Sequence, residues 1–363
     1  MPTQQFNLAI LGSGGVTKAF LPQLEWLIAQ PGSRKLNLSF ISSSKKACYD
    51  FENGLCAETA LEDLAASQQA FLSLLEVLNL LETSPHKAIL IDNTGAQDVA
   101  DQYPEVLKRD ISIVTPSKKA FAGSYRLWQD IFAAEAASNA KVYIESSVGA
   151  GLPMIALLKN LLQSGDEIIK IEGALSGTLS SIYSSFAPVD GKGISWSAAV
   201  QKAKDLGFTE PNPRDDLNGL DVARKLIVFA RLAGLSVESA YSIPIQSLVP
   251  KELEAVQSGE DFLQQLPEFD SHMEKARNEA EALGKVPRYV GSVDMVSGTV
   301  KVGPELFDKT HPVAGLKGSD NLVSFYTKRY PSPLILQGAG AGGDVTAMGL
   351  IGGIIKVTSE LST

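Results

Sequence analysis

Short apolar runs alternate with segments of helical spacing through the first 145 residues. Residues 7–11 (NLAIL) form a run of buried-strand length, and segment 18–29 then carries apolar side chains at three- and four-residue intervals. Residues 36–41, 88–91, 111–114 and 142–144 are further runs of strand length. Strands alternating with helices need crossover connections, so the pattern predicts an α/β domain with a doubly wound parallel sheet. After about residue 153 the character changes. Segment 172–187 is rich in Ser, Thr and Gly, 210–216 is a Pro- and Asp-rich loop, and 288–302 and 323–327 alternate like antiparallel strands. Segment 338–361 is a Gly/Ala-rich turn followed by an apolar helix. The expected plan is a dinucleotide-binding domain at 1–152, an inserted α+β domain at 153–335, and a terminal helix at 336–363 returning to the first domain.

Composition narrows the class. A chain of 363 residues exceeds what one hydrophobic core usually supports. With 44% hydrophobic and 20% charged residues it has the balance of a soluble globular protein. The formal charge of -9 argues against a nucleic-acid partner, which needs clustered Lys and Arg. No apolar run reaches membrane-spanning length, and residues 1–7 lack the basic region and apolar stretch of a leader, so a cytoplasmic location with no membrane contact is expected. Cys48 and Cys56 are the only cysteines. They are too few for a disulfide framework, and with His86, His272 and His311 far away in sequence they read as structural or incidental.

The first strand runs straight into Gly12-Ser13-Gly14-Gly15-Val16-Thr17. Gly12 and Gly14 stand where a dinucleotide-binding turn needs a tight bend and close approach of backbone amides to pyrophosphate at a helix N-terminus. Thr17 occupies the third glycine position, so close helix–strand packing must be met another way. An ordinary strand–helix turn is the alternative, but the position directly after the first strand favours a Rossmann-type domain. The second strand ends in Ser42-Ser-Ser-Lys45-Lys46, with no carboxylate for a ribose 2′-hydroxyl. Hydroxyls and two cations suit a 2′-phosphate, which favours NADP over NAD; the alternative is a solvated polar turn.

Residues 217–233 have the pattern of a buried helix, with Asp215 or Asp216 available as its cap. Asn218, Asp221 and Lys225 fall at i, i+3 and i+7 and share one face. Val228 and Phe229 flank that stripe, so it does not continue into a solvated face. An exposed Asp–Lys pair is the plain alternative; the apolar bracket favours a functional pair. Burial disfavours a charged lysine and a neighbouring carboxylate favours it, and the balance stays open at this level.

Several strings together resemble the homoserine dehydrogenase family over nearly the whole chain. They are Thr115-Pro-Ser-Lys-Lys-Ala120, Glu145-Ser-Ser-Val-Gly-Ala-Gly-Leu-Pro153, Glu172-Gly, Leu175-Ser-Gly-Thr-Leu179, Leu316-Lys-Gly-Ser-Asp-Asn321 and Gly338-Ala-Gly-Ala-Gly342. Most specific is the run from Gly207 through Glu210-Pro-Asn-Pro-Arg-Asp-Asp216 to Lys225. The resemblance is to the short form without a regulatory domain, as in the fungal enzymes. It implies NAD(P)-dependent interconversion of L-homoserine and L-aspartate 4-semialdehyde, a step toward threonine, methionine and isoleucine. By the same resemblance, Lys225 moves the substrate hydroxyl proton, Glu210 and Asp221 bind or orient the amino acid, and Asp216 assists. Lys118 lies near nicotinamide and substrate. Gly12, Ser13, Gly14, Gly15, Val16, Thr94, Gly340 and Gly342 contact cofactor. Glu145, Val148, Ala150 and Leu152 match a site for a monovalent cation, Na+ or K+. A homodimer built through the substrate domain is also implied. Thr17, Gly95 after Thr94, and Ser146-Ser147 depart from the family pattern.

The residue types suit the chemistry. Reducing an aldehyde requires hydride delivery and protonation of the developing alkoxide, which two cationic groups can stabilise if one can lose a proton. A phosphorylating semialdehyde dehydrogenase would need a thiol nucleophile, and both cysteines lie before the expected substrate domain. A non-catalytic nucleotide sensor would have no use for Lys118, Glu210, Asp221 and Lys225 together.

Overall fold

The computed structural model describes residues 4–30 and 35–362. Its contacts divide the chain into two units, Met1–Ile155 with Ala341–Thr363, and Ala156–Gly340.

In the first unit, apolar runs become strands buried on both faces: Leu8, Ala9 and Ile10 are all fully buried in β1 (Gln5–Leu11). Helices covering both sides of a sheet explain why these runs are continuously apolar rather than alternating. With β2 (Lys35–Ser42), β3 (Ala47–Tyr49), β4 (Lys87–Asp92), β5 (Ile111–Val114) and β6 (Val142–Tyr143), the sheet order is β3-β2-β1-β4-β5-β6. All neighbours are parallel except β3, which pairs antiparallel with β2. The doubly wound parallel sheet is as expected, with one antiparallel edge strand added: the Ser42–Lys46 string is a hairpin turn, with the Ser43 hydroxyl accepting from the amides of Lys45 and Lys46. Helix α1 (Gly15–Ile28) starts directly at the glycine turn. Its Phe20 and Leu24 share a core with Phe6 and Leu8 of β1 and with Leu350, Ile354 and Val357 of the C-terminal helix.

The second unit holds an antiparallel sheet in the order β11-β10-β7-β8-β9. Its strands are β7 (Ile168–Ala174), β8 (Lys285–Asp294), β9 (Thr299–Asp308), β10 (Asp320–Thr327) and β11 (Leu334–Ala339). Segment 288–302 is thus parts of two strands and the turn joining them, and β8 is buried along nearly its whole length instead of alternating. Because Ala339 still pairs with Asp320, the chain leaves this sheet only after residue 339; the expected return at 336 is corrected to 341. Helix α2 (Gly177–Phe186) follows β7, its first turn capped by the Ser176 hydroxyl, which accepts from the Leu179 amide.

The predicted helix 217–233 is two pieces. A single helical turn, Arg214–Leu217, precedes α3 (Leu220–Leu232). Gly219 separates them at φ 75°, a left-handed conformation that side chains resist. A Cβ there would lie 2.1 Å from the Tyr289 hydroxyl, so the break is required by space as well as by backbone. Asn218 therefore lies outside the stripe; its Oδ1 accepts from the Leu220 amide at 2.8 Å. Asp215 and Asp216 do not cap α3. The apolar bracket stands, with Val228 and Phe229 fully buried. The last helix, α4 (Gly343–Glu360), rejoins the first unit against α1, where Gln23 Nε2 donates to the Asp344 carbonyl.

Candidate active site

In the first unit, the turn expected to hold the nucleotide lies at the C-terminal ends of β1, β4 and β5. Gly12 has φ 93°, and a Cβ on it would meet the Asn93 carbonyl at 3.1 Å. Around Gly14 and Gly15 a Cβ would meet nothing within 4 Å, so the approach to the backbone is open. Gly14 begins α1 with no side-chain cap and no acidic residue in the first turn, leaving the N-terminal amides of Gly15 and Val16 suited to an anion. Ser13 lies between the two turn glycines, half-buried. Thr17 answers for the missing third glycine: fully buried, its hydroxyl donates to the Gly12 carbonyl at 2.7 Å and accepts from Asn93 Nδ2 at 3.0 Å.

A buried network that composition did not reveal orders the next two loops. Asp92, fully buried at the end of β4, accepts from the Thr94 amide (2.8 Å), the Thr94 hydroxyl (2.6 Å) and the Tyr103 hydroxyl (2.6 Å). The Thr115 hydroxyl at the end of β5 donates to the Asp92 carbonyl at 2.7 Å and accepts from the Ser117 amide at 3.0 Å. Burial first, then the adjacent Asp92, pushes the Tyr103 phenol well above its ordinary range, so it stays a donor. Thr94 is thereby held exposed on its loop, and Lys118 half-buried at the start of the next helical turn. At the hairpin after β2, Lys45 is exposed, whereas Lys46 Nζ is turned onto the Ala65 carbonyl.

Loop 145–152 is tightly bent, with Gly149 and Ala150 at φ 72° and 53°. Glu145 Oε1 accepts from the Ile155 amide at 2.8 Å, and its Oε2 lies 4.0 Å from Lys356 Nζ. Val148 and Ala150 are buried; the Leu152 carbonyl accepts from the Met154 amide at 2.7 Å.

In the second unit, Lys225 projects from α3 with 12% of its side chain exposed. Its Nζ lies 2.8 Å from Asp221 Oδ2 and donates to the Leu175 carbonyl at 2.7 Å. Asn321 Nδ2 donates to that same carbonyl at 3.3 Å. Asp216 spends both carboxylate oxygens within the chain, on the Glu210 amide (2.8 Å) and the Thr178 hydroxyl (2.9 Å). The Thr178 hydroxyl also meets the Phe208 carbonyl. Burial raises the Asp216 pKa against these hydrogen bonds, helped by the charges of Glu210 and Asp221. Glu210 is exposed. Lys225, Asp221, Asp216 and Glu210 thus gather around the junction of β7, α2 and α3, and Asp216 shapes the Glu210 segment. Gly340 and Gly342, expected as one turn, fall in different units. Sequence reading gave no role to Leu175, Thr178 or Asn321; the polar Asn321 directly before the apolar Leu322-Val323 was the one available signal for the last.

The thiols offer no rival centre. Cys48 is half-buried and Cys56 exposed, both unpaired, and burial, then Asp63, pushes the Cys48 thiol up, against thiolate formation. Among the described residues no group of three or more His, Cys, Asp or Glu is placed to hold a metal, and no helix is long and apolar enough to cross a membrane.

A family model described as homoserine dehydrogenase matches residues 153–355, and another described as homoserine dehydrogenase, NAD binding domain, matches residues 12–145. The homoserine dehydrogenase of Emericella nidulans is 49% identical over 98% of both chains. A Candida auris protein of unknown function has a solved structure similar at TM-score 0.92 and 43% identity, covering 97% of this chain and 98% of that one. A hyperthermophilic archaeal homoserine dehydrogenase solved with NADPH shares the fold at TM-score 0.72 and 21% identity, over 98% of each chain. Two family domains that together run from residue 12 to residue 355, and a fungal relative alike from end to end, make this chain a member of the homoserine dehydrogenase family.

Proposed function

We propose that the chain interconverts L-homoserine and L-aspartate 4-semialdehyde with Lys225 as the proton-handling group. The observation that carries this is the setting of Lys225 Nζ between the Leu175 carbonyl and the Asp221 carboxylate. Both partners can only accept, so they engage two N–H bonds in either protonation state. The remaining tetrahedral position is a proton in the acid form and a lone pair in the base form, and the substrate hydroxyl belongs there. In oxidation the hydroxyl proton passes to that lone pair while hydride leaves the carbinol carbon. A bound nicotinamide supplies the hydride acceptor or donor. Glu210 is the partner for the substrate ammonium, with Asp221 orienting Lys225 and Asp216 fixing the Glu210 segment, and Lys118 is assigned to the nicotinamide.

The nucleotide is assigned to the Gly12–Val16 turn, with Thr94 and Gly342 as further contacts and the family domain matched at residues 12–145 in support. We favour NADP on the carboxylate-free β2–β3 turn; the archaeal relative holds NADPH. Because Lys46 is turned onto Ala65, Lys45 is the better candidate for the 2′-phosphate. A monovalent cation is assigned to Glu145 and the carbonyls of Val148, Ala150 and Leu152, a donor set of hard oxygens that fits Na+ or K+. A homodimer through the second unit is proposed from the family resemblance alone. The test of activity is the appearance of reduced nicotinamide with homoserine and NADP+ or NAD+. Turnover with both and a higher kcat/KM for NADP+ is expected; no turnover with either overturns the reading.

A further inference from the structure

We infer that Asn321 is a positioning residue for the lysine centre and that Gly340 is glycine to make room for it. The inference rests on Lys225 as the proton-handling group. Asn321 opens the run of buried residues in β10, 1% exposed, pairing with Gly338 of β11 and next to Leu322, which pairs with Ala174 of β7. That register sets its amide beside Leu175, the residue after β7. The Leu175 carbonyl has two lone pairs, one taken by Lys225 Nζ and one by Asn321 Nδ2. A carbonyl held from both sides cannot swing, so the direction of the Lys225 N–H that it anchors is set by Asn321. The third position on Nζ is fixed in turn.

Two further observations oppose a role as mere filler. Asn321 Oδ1 is buried without a hydrogen-bond partner, a cost that an apolar side chain of similar size would avoid. On the other side, a Cβ on Gly340 would lie 2.1 Å from both Asn321 Cγ and Nδ2 and 2.6 Å from Oδ1. With Asn321 enclosed, the amide could yield only by leaving the Leu175 carbonyl. The absent side chain at residue 340 is therefore explained by the lysine centre, with no cofactor contact required.

The experiment compares Asn321→Leu, Asn321→Ala, Gly340→Ala, the double variant Asn321→Ala/Gly340→Ala, and Lys225→Ala in homoserine oxidation with NADP+. Asn321→Leu and Gly340→Ala are each expected to lower kcat about 10- to 100-fold, with KM for NADP+ within about twofold of wild type. The double variant should match Asn321→Ala alone, because the side chain that Gly340→Ala strikes is gone. A Gly340→Ala enzyme with normal kcat and raised KM for NADP+ overturns the inference in favour of a cofactor turn. Additive losses in the double variant, or Asn321→Leu within twofold of wild type while Lys225→Ala is inactive, also overturn it. If Asn321→Leu fails to fold, Gly340→Ala and its double variant decide. Retained turnover in Lys225→Ala rejects the parent reading instead, whatever residue 321 does.

Discussion

Thr17 replaces a glycine of the dinucleotide turn, and the structure gives a quantitative reason to expect that it stabilises that turn. Thr17→Val keeps the shape of the side chain and removes the hydroxyl. Two hydrogen bonds go, to the Gly12 carbonyl at 2.7 Å and from Asn93 Nδ2 at 3.0 Å. Each is worth about 1 kcal/mol net, and a buried donor left unpaired adds roughly 1–2 kcal/mol. Asn93 Oδ1 already lacks a partner, so both ends of that amide would then be unsatisfied. The expected loss is about 3–4 kcal/mol, which for a unit of this size lowers Tm by roughly 6–16 °C. Since Gly12 is the residue released, KM for the nicotinamide nucleotide should rise as well. Thr17→Ser keeps both hydrogen bonds and should lose only about 1 kcal/mol for its methyl group. Thermal and urea unfolding, with cofactor titrations on the same preparations, measure these effects. A Thr17→Val protein equal to wild type in both would refute the idea that this hydroxyl does the work of the missing glycine.

Other substitutions test other joints of the structure. Asp216 has a raised folded pKa, so the folded state binds its proton more tightly than the unfolded chain; its contribution is present below the ordinary carboxylate pKa and lost as pH rises through the folded value. Asp216→Asn, which can accept from the Glu210 amide and donate to Thr178, should therefore gain on wild type in urea midpoint across that window, and parallel pH curves would contradict this. Gly219→Ala forces a left-handed alanine against the Tyr289 hydroxyl and should cost about 2–3 kcal/mol. Adding Tyr289→Phe should make that loss less than additive, whereas full additivity in urea unfolding would speak against the collision. Lys45→Ala should raise KM for NADPH more than for NADH, with Lys46→Ala showing the smaller discrimination; equal effects on the two nucleotides would count against the 2′-phosphate assignment.

Local pattern carried much of the fold. The runs 88–91 and 111–114 lie within or coincide with β4 and β5, because strands covered on both faces are continuously apolar. Short elements escaped: β3 has three residues and no periodicity to detect, so a hairpin looked like a polar turn. The break at Gly219 was hidden because apolar spacing persists across it, while the cause, the Tyr289 hydroxyl, lies 70 positions along the chain and is visible only in three dimensions. The same holds for the centre. Asp221 and Lys225 are one helical turn apart, so their pairing was legible. The Leu175 carbonyl and Asn321 reach Lys225 through strand register, which no spacing encodes. The Asp92–Tyr103–Thr115 network joins the ends of two strands and the helical segment between them in the same way.

In the proposed mechanism Lys225 moves the proton and contributes little to nucleotide binding. Steady-state homoserine oxidation by Lys225→Ala, with the dissociation constant for NADPH measured on the same protein, tests it most directly. Turnover should fall by about 10²- to 10⁴-fold with NADPH affinity nearly unchanged. Turnover within a few-fold of wild type would contradict it, and so would a loss traced entirely to weakened NADPH binding.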